Sequence, residues 1–218
     1  QELKSLYMAG PSWVRQRFDK VKDLGVILND EGNFKDHIEK ALRQARQKLG
    51  WILRSFKSRN KWFMKHLFKT LVIPHIDYCS QLWMPVDGAG ICSLEKLQHD
   101  FFRKIPELRA MNYWECLKHM NMISMQRRLE RYRVIYAWKI PEKIAPNCGI
   151  KLVQGSEESR LGRRLDIALP KESAQTNKMK EQELQVNGPK LFDCIPASIM
   201  NISRQGLDEF KEKLDNFL

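Results

Sequence analysis

The longest periodic segment of the chain reads FKDHIEKALRQARQKLGWILRSFK, residues 34–57. Its apolar side chains recur at steps of three and four residues for about six turns. They are Phe34, Ile38, Ala41, Leu42, Ala45, Leu49, Ile52, Leu53 and Phe56. Because this period matches one face of an α-helix, the segment predicts a single long amphipathic helix.

A second predicted helix follows a short polar break. Asn60 is suited to its N-cap, because a side-chain oxygen there can accept hydrogen bonds from the first free backbone N–H groups. Pro74 should kink this helix, since proline lacks the N–H that a helical turn needs. The four-residue rhythm of Tyr78 and Leu82 predicts a kinked continuation to about Trp83.

Three further helices are predicted downstream, with polar residues or proline between them. Their expected spans are 93–105, 113–120 and 124–140, after a loop at 85–90. Ser93 and Ser124 are expected N-caps, and Pro106 and Pro141 are expected ends. Residues 34–140 are therefore expected to form a small helical bundle.

The two ends of the chain carry different signals. Residues 1–33 contain two short apolar runs, at 6–8 and 24–28, bounded by Gly, Pro and Asn, as is typical of the strands of a β-hairpin. Beyond residue 141 the periodicity weakens, and residues 171–183 are typical of a loop or flexible linker. Two apolar islands there are candidates for short strands, at 165–169 and 190–195. Apolar spacing predicts one more helix after Gly206.

The predicted fold class is therefore mainly α. A short N-terminal β-hairpin precedes a small helical bundle, and a mixed, partly irregular region follows. The expected divisions are a hairpin at 1–33, a helical unit at 34–106, a helical extension at 107–140, and a mixed C-terminal region with a terminal helix at 141–218.

Positive charge is the main compositional signal. The chain has 38 Lys and Arg against 26 Asp and Glu, a formal net charge of +12. This excess favours polyanionic partners such as nucleic acid or an acidic membrane surface. Residues 35–69 hold 11 of the cations against only Asp36 and Glu39. The candidate nucleic-acid-binding residues are Lys40, Arg43, Arg46, Arg54, Lys57, Arg59, Lys61 and Lys65.

The same cations would also fit an ordinary solvated helix face, and the sequence leaves the two interpretations even. Trp51, Trp62 and Phe63 adjoin the cations and would allow base stacking. Aromatic residues at helical spacing more often belong to a hydrophobic core, which is the interpretation favoured here. Two weaker basic runs, at 127–133 and 160–164, would bind phosphate or have no role.

No arrangement of residues in the sequence predicts catalysis. Metal-assisted phosphoryl transfer needs clustered carboxylates, and the chain has no Asp-Asp pair. Its five histidines show no H-E-x-x-H spacing, and it has no Gly-rich phosphate loop. The chain itself is therefore expected to hold no cofactor.

Cysteine usage and hydropathy suggest the compartment. The five cysteines are scattered and lack zinc-ligand spacing, which is typical of a reduced intracellular protein. No apolar stretch approaches the roughly 20 residues that cross a bilayer. We expect a nuclear or cytoplasmic location without a membrane partner. Because the chain begins with Gln1, we also expect it to be a piece of a longer protein or a processed product.

Three blocks in a fixed order carry a family resemblance. They are VKDLGV at 21–26, FKDHI at 34–38 and PHIDYC at 74–79. Further phrases extend it, namely LGWILR at 49–54, LFKTLVIP at 67–74, LEKLQ at 94–98, RRLERY at 127–132, YAWKI at 136–140 and GPKLF at 188–192. The chain resembles the C-terminal part of reverse transcriptases from non-LTR (LINE-type, jockey-like) retrotransposons.

The resemblance implies that residues 1–33 end the palm, that 34–106 form the thumb, and that 107–140 extend it. It implies binding to an RNA–DNA or DNA duplex, contact with the palm and fingers of the polymerase, and magnesium in the parent enzyme. The paired aspartates of the palm signature are missing from this chain. The chain alone is therefore expected to be inactive.

Other functions stay open at this point. The chain would also suit a retrotransposon-derived relic that acts as a helical protein-interaction scaffold without catalytic activity. An inert fragment is a third possibility. In either case, strands that have lost their sheet neighbours or exposed apolar faces would favour self-association.

Overall fold

The computed structural model describes residues 19–29, 34–85, 87–146, 152–153, 166–167, 184–202 and 206–217. The described residues are mostly helical, and a two-stranded antiparallel hairpin precedes the helices. This confirms the mainly α class with an N-terminal hairpin. The apolar run at 6–8, the basic run at 160–164 and the linker at 171–183 lie outside the described residues.

The hairpin consists of β1 (Lys20–Asp23) and β2 (Val26–Asn29), with Asp23 opposite Val26. Its two turn residues, Leu24 and Gly25, have φ values of 43° and 90°. Two positive φ angles give the turn whose twist matches a two-residue hairpin. The run at 24–28, predicted as part of a strand, therefore begins with the turn, because Leu24 and Gly25 join β1 to β2.

The long helix α1 spans Lys35–Ser55. Its buried residues are His37, Ala41, Leu42, Ala45, Leu49 and Ile52, so the predicted apolar face is confirmed. Phe56 is extended, with φ −112° and ψ 125°, and ends the helix. Lys57, which the sequence placed on the helix, therefore lies beyond its end.

The helix α2 (Lys61–Leu67) begins at the predicted cap. The side chain of Asn60 accepts hydrogen bonds from the backbone N–H groups of Trp62 and Phe63 at 3.0 and 3.3 Å. A π-helical turn, Phe68–Val72, follows α2 and leads into α3 (Pro74–Asp77). The wider turn accommodates Pro74, which has no N–H to donate, without ending the helical path.

The predicted continuation to Trp83 is wrong at one point. Tyr78 is extended and Cys79 is left-handed, with φ 51°, so a separate turn α4 (Ser80–Trp83) follows. A side-chain hydrogen bond forms here in place of a helical backbone bond. The Trp83 indole N–H donates to the Tyr78 carbonyl at 2.8 Å. The Tyr78 hydroxyl donates to the Leu24 carbonyl at 2.5 Å, which holds the hairpin turn.

The helix α5 spans Gly88–Phe102, five residues longer at its start than predicted. Asp87 is its N-cap, since its carboxylate accepts from the Gly90 N–H at 2.8 Å. Ser93 lies inside the helix and donates to the Ala89 carbonyl at 2.9 Å, so its predicted capping role is wrong. Residues 88–90 of the predicted loop are helical because the cap lies farther upstream.

The next two helices begin where the sequence predicts. The helix α6 (Tyr113–Met120) starts with a capping box formed by Asn112 and Glu115. The helix α7 (Met125–Lys139) starts at Ser124, whose hydroxyl accepts from the Arg127 N–H at 3.3 Å. Both caps satisfy backbone N–H groups that a helix start leaves without partners.

A carboxylate joins α5 to these two helices. Glu95 accepts hydrogen bonds from the backbone N–H groups of Met125 and Gln126 at 3.2 and 2.9 Å, and also from the Tyr113 hydroxyl. Burial, with Glu95 beside it, raises the pKa of Tyr113. A negative charge at a helix N-terminus is favourable, so Glu95 fixes the start of α7.

Two hydrophobic clusters organise the described residues. The first contains the buried faces of α1 to α6 and the start of α7, and Phe68 stacks on Phe101 at 4.1 Å between ring centroids. The second contains the C-terminal half of α7 with α8 (Leu184–Asp193), α9 (Ala197–Met200) and α10 (Leu207–Phe217). Trp138 stacks on Phe210 there at 4.5 Å.

The expected strand at 190–195 is wrong, because most of that segment belongs to α8. Buried Leu184, Gly188 and Phe192 repeat every four residues along one side of α8, which packs on α7. The short strands β3 (Leu152–Val153) and β4 (Asp166–Ile167) pair antiparallel, and β4 lies within the predicted strand at 165–169. The predicted terminal helix is confirmed as α10.

An ion pair with an added hydroxyl joins α3 to α7. Asp77 accepts from Arg128 Nε and Nη2 at 2.8 and 2.7 Å and from the Tyr132 hydroxyl at 2.8 Å. Asp77 and Arg128 keep only 20% and 24% of their side-chain surface exposed. Two parallel N–H···O bonds make such an arginine–carboxylate pair stronger and more directional than a single contact.

We expect Asp77→Ala to lower the free energy of unfolding by about 2–3 kcal/mol, because it leaves a half-buried guanidinium without its anion. Asp77→Asn should lose less, since an amide still accepts one hydrogen bond. Denaturant unfolding followed by circular dichroism measures both. Wild-type stability in the alanine variant would contradict this role.

A histidine holds the hairpin against α1. His37 is buried, its Nδ1 accepts from the Ile27 N–H at 3.4 Å, and its ring meets Trp83 edge to face at 5.4 Å. Burial, with Lys40 adding to it, lowers the pKa of His37. A protonated ring could not accept the Ile27 N–H, so only neutral His37 supports this contact.

We expect the protein to lose stability as the pH falls below about 6.5, the usual histidine value. The folded pKa of His37 is the lower one, so the unfolded chain binds the proton first and acid favours unfolding. Melting temperatures between pH 7.5 and 5 measure this. The loss should shrink in His37→Asn, whose side-chain oxygen accepts the same N–H at any of these pH values. An unchanged pH profile in the variant would contradict the assignment.

Candidate nucleic-acid interface

Two of the eight candidate cations stabilise the local structure of α1. Lys40 donates to the Gly25 carbonyl at 3.3 Å and so attaches the hairpin turn to the helix. Arg59 folds back over the end of α1, where it donates to the carbonyls of Leu53 at 2.8 Å, Ser58 at 3.1 Å and Phe56. A cation is favourable at this end of a helix, where carbonyl groups lack partners.

Two more of the candidates connect α2 to the neighbourhood of α6. Lys61 lies 3.4 Å from the Glu107 carboxylate and 2.9 Å from His119 Nε2. Lys65 donates to the carbonyls of Met120 and Asn121 at the end of α6. Burial, with Lys69 nearby, lowers the pKa of Lys65. These cations already have partners within the fold, so a phosphate would have to compete for them.

The other four candidates, Arg43, Arg46, Arg54 and Lys57, are exposed. Within the described part of the chain they make no hydrogen bond or ion pair. Arg43, Arg46 and Arg54 follow at steps of three and eight residues, which places them along one face of α1. Their charges are therefore available to a ligand.

This face of α1 borders a groove against the C-terminal end of α5. The groove has a volume of about 370 Å³. Its lining residues are Arg46, Leu49, Gly50 and Leu53 from α1 and Leu97, Asp100, Arg103 and Lys104 from α5 and the residues just after it. We call it the basic groove. Three cations surround an apolar floor, and Asp100 is its one acidic lining residue.

Two cations of the basic groove were missed by the sequence analysis. Lys104 is exposed, and its side chain makes no hydrogen bond or ion pair with another described residue, while Arg103 donates to the Arg109 carbonyl at 2.6 Å. They lie about 50 residues from α1, and only the packing of α5 against α1 brings them beside Arg46. Their position just after the last turn of α5 was the available signal, because cations are favoured at helix C-termini.

Gly50 lies in the wall of the basic groove between the arginines. A Cβ atom at this position would meet one atom within 4 Å, the flexible Nη1 of Arg54 at 3.4 Å. Packing therefore does not require glycine here. Its effect is to leave the backbone of α1 accessible from the groove side.

The aromatic residues beside these cations are at the surface. Trp51, Trp62 and Phe63 are 47%, 58% and 37% exposed, so the expectation that they belong to the core is wrong. The periodicity was misleading, because the buried stripes of α1 and α2 pass through Ile52 and Met64 instead. A sequence pattern cannot distinguish an apolar residue at the edge of a stripe from one at its centre.

The second basic run, at 127–133, is mostly structural. Arg128 pairs with Asp77, and Arg131 pairs with Asp215, its Nη2 donating at 2.9 Å. Arg133 is fully buried and donates to the Gln81 carbonyl at 3.1 Å. Burial lowers the pKa of Arg133 to about 10. Within this run, the exposed cation that fits a phosphate-binding role is Arg127.

In the described ranges, no three His, Cys, Asp or Glu side chains come together as a metal site would require. Among the described helices, none is long and apolar enough to cross a membrane. No family model, curated protein or solved structure matches the chain. The geometry of the cations is therefore the basis for assigning a function.

Unfolding measurements can distinguish the cations that stabilise the fold from those that are available to a ligand. We expect Arg59→Gln and Lys65→Gln each to lower the free energy of unfolding by about 1 kcal/mol, because each leaves helix-end carbonyls without a donor. Arg43→Gln and Arg54→Gln should stay within about 0.5 kcal/mol of the wild type. Denaturant unfolding of the four variants tests this, and equal effects across the set would contradict the division.

Proposed function

We propose that this chain binds a nucleic-acid duplex as the thumb and C-terminal extension of a reverse transcriptase related to those of non-LTR retrotransposons. The observation that carries the proposal is the set of available cations on α1 together with the basic groove beside it. The ordered sequence blocks support the assignment to this family, and the exposed cations support the binding of a duplex. The expected ligand is an RNA–DNA or DNA duplex.

The charge distribution favours a polyanion over other ligands. Between Lys40 and Ile76 the sequence contains ten Lys or Arg and no Asp or Glu. Such a surface attracts a phosphate backbone, and each phosphate contact releases a condensed counterion into solution. Guanidinium groups also match phosphate geometrically, because they donate two parallel hydrogen bonds.

The length of the cationic face suits a duplex. Arg43 and Arg54 are 11 residues apart, which at 1.5 Å per residue is roughly 16 Å along α1. Phosphates of one strand advance about 3.4 Å along the duplex axis per base pair, so this distance covers about five base pairs. Contacts of this kind fix position and register and do not read sequence.

In this proposal the chain binds the duplex and does not catalyse polymerisation. Polymerisation in the parent family depends on paired aspartates and magnesium, and the described residues contain no acidic cluster that fits such an ion. The palm and fingers of the polymerase are the proposed protein partners. No step of the reaction is assigned to the residues of this chain.

A protein-interaction scaffold is the second candidate function. It is favoured by large apolar side chains that are exposed outside α1, namely Leu24, Leu82 and Trp114, which are 84%, 43% and 65% exposed. They belong to the hairpin turn, α4 and α6. A scaffold would form protein complexes and ignore duplexes, which separates it from the first proposal.

We expect the variant Arg43→Gln/Arg46→Gln/Arg54→Gln/Lys57→Gln to bind a labelled RNA–DNA duplex at least tenfold more weakly at low salt. The slope of log affinity against log salt should fall by about 0.9 for each phosphate contact removed. Fluorescence anisotropy at several salt concentrations measures both quantities.

The matched control is Lys22→Gln/Lys48→Gln/Lys69→Gln/Lys118→Gln, which removes the same charge from exposed positions outside these four cations and the basic groove. It should keep most of the affinity, although it lowers the net charge equally. If both variants lose the same affinity, binding reflects net charge alone. If neither loses affinity, the cations of α1 form a solvated face and the proposal fails.

A further inference from the structure

A row of aromatic side chains lies at the junction of α1 and α2. Trp51 meets Phe56 edge to face at 5.9 Å between ring centroids, and Phe56 meets Phe63 in the same way at 5.5 Å. Trp62, next to Phe63, is 58% exposed, and Trp51 is 47% exposed. We call these four residues the aromatic ridge.

The rim of the aromatic ridge is positively charged. Arg54 and Lys57 are exposed beside it and available. The ammonium groups of Lys61 and Lys65 lie over the Trp62 ring, 5.6 and 5.5 Å from its centroid. No acidic residue occurs between Lys40 and Ile76 in the sequence. In space, the Glu107 carboxylate lies 3.4 Å from Lys61, so a ligand that covers the ridge meets mainly cations, with this carboxylate beside one of them.

Exposed aromatic rings that touch one another mark a binding surface more often than isolated apolar residues do. A protein partner would have to be strongly acidic as well as apolar to fit this ridge. A single strand of nucleic acid satisfies both conditions, because its phosphates carry the negative charge and its bases have flat faces. A duplex does not, since its bases are stacked on each other and unavailable.

We infer that the aromatic ridge binds unpaired bases of a single-stranded nucleic-acid segment that continues from a duplex held at the basic groove. This rests on the proposed function, and it adds a second ligand class at a separate surface. One base stacks on Trp51, and another stacks on Trp62 in place of the ammonium groups of Lys61 and Lys65. The phosphates lie near Arg54 and Lys57.

The two surfaces adjoin one another along α1. Gly50 lies in the wall of the basic groove, and the next residue, Trp51, begins the aromatic ridge. Arg54 follows three residues later, between the groove and Lys57. A strand that leaves the duplex at this end of α1 would therefore reach Trp51 next to the basic groove.

The test compares one duplex in two forms, blunt and with a single-stranded extension of about 10 nucleotides, within the usual span of single-strand sites. The wild-type chain should bind the extended form more tightly. Trp51→Ala and Trp62→Ala should each lower affinity for the extended form about tenfold, the usual effect of losing one stacking ring, and leave blunt-duplex affinity unchanged.

Matched variants separate stacking from folding and from general hydrophobicity. Trp51→Phe keeps a π face and should retain part of the gain, whereas Trp51→Leu keeps only apolar surface and should lose it. Trp114→Ala removes an equally exposed tryptophan outside the ridge and should have no effect. Melting temperatures confirm that each variant is folded, and 2-aminopurine in the extension reports stacking directly through its fluorescence.

Each remaining result overturns the inference. If the wild type binds both forms equally while the α1 cations still govern duplex affinity, the ridge has no strand-binding role and the duplex proposal stands. If the tryptophan variants weaken both forms equally, the ridge belongs to the duplex surface. If they abolish a homodimer or a protein complex instead, the ridge is a protein interface. If the wild type binds neither form, both proposals fail.

Discussion

Burial of one face of α1 is the constraint on which the remaining structure depends. The stripe through Ala41, Ala45, Leu49 and Ile52 packs against β2, the π-helical turn, α3 and α5. Its two alanines let these elements approach closely, since they add almost no side-chain volume. Because a helix has a fixed period, burying this stripe directs Arg43, Arg46 and Arg54 outward. The basic surface is thus a geometric consequence of the core.

A surface with this many like charges needs local compensation. Arg59 and Lys65 obtain it from carbonyl groups at the ends of α1 and α6, where helix dipoles favour cations. Lys61 obtains it from Glu107. Arg59, Lys61 and Lys65 therefore have fixed partners, whereas Arg43, Arg46, Arg54 and Lys57 keep their charge available. Structural and binding roles are separated within a single segment.

Sequence reasoning succeeded where the signal is local. Asn60 and Ser124 cap helices as predicted, because a cap depends on residues within one turn. It failed where distant contacts decide, as at Tyr78, where bonds to Leu24 and Trp83 interrupt a helix that the periodicity continues. At the candidate site, Lys65 was indistinguishable from Arg43, because its acceptors lie 55 and 56 residues away. Arg103 and Lys104 stayed hidden for the same reason.

The helix α7 is shared by both hydrophobic clusters, since Met125 and Leu129 belong to the first and Val134 and Trp138 to the second. The helix continues without a break from the first cluster into the second. Unfolding of the second cluster would uncover apolar residues on α7. The start of the same helix is attached to α5 and α3 by hydrogen bonds to Glu95 and Asp77. The two clusters are therefore thermodynamically linked, and destabilising substitutions around Phe210 are expected to lower the stability of the cluster that contains α1 as well.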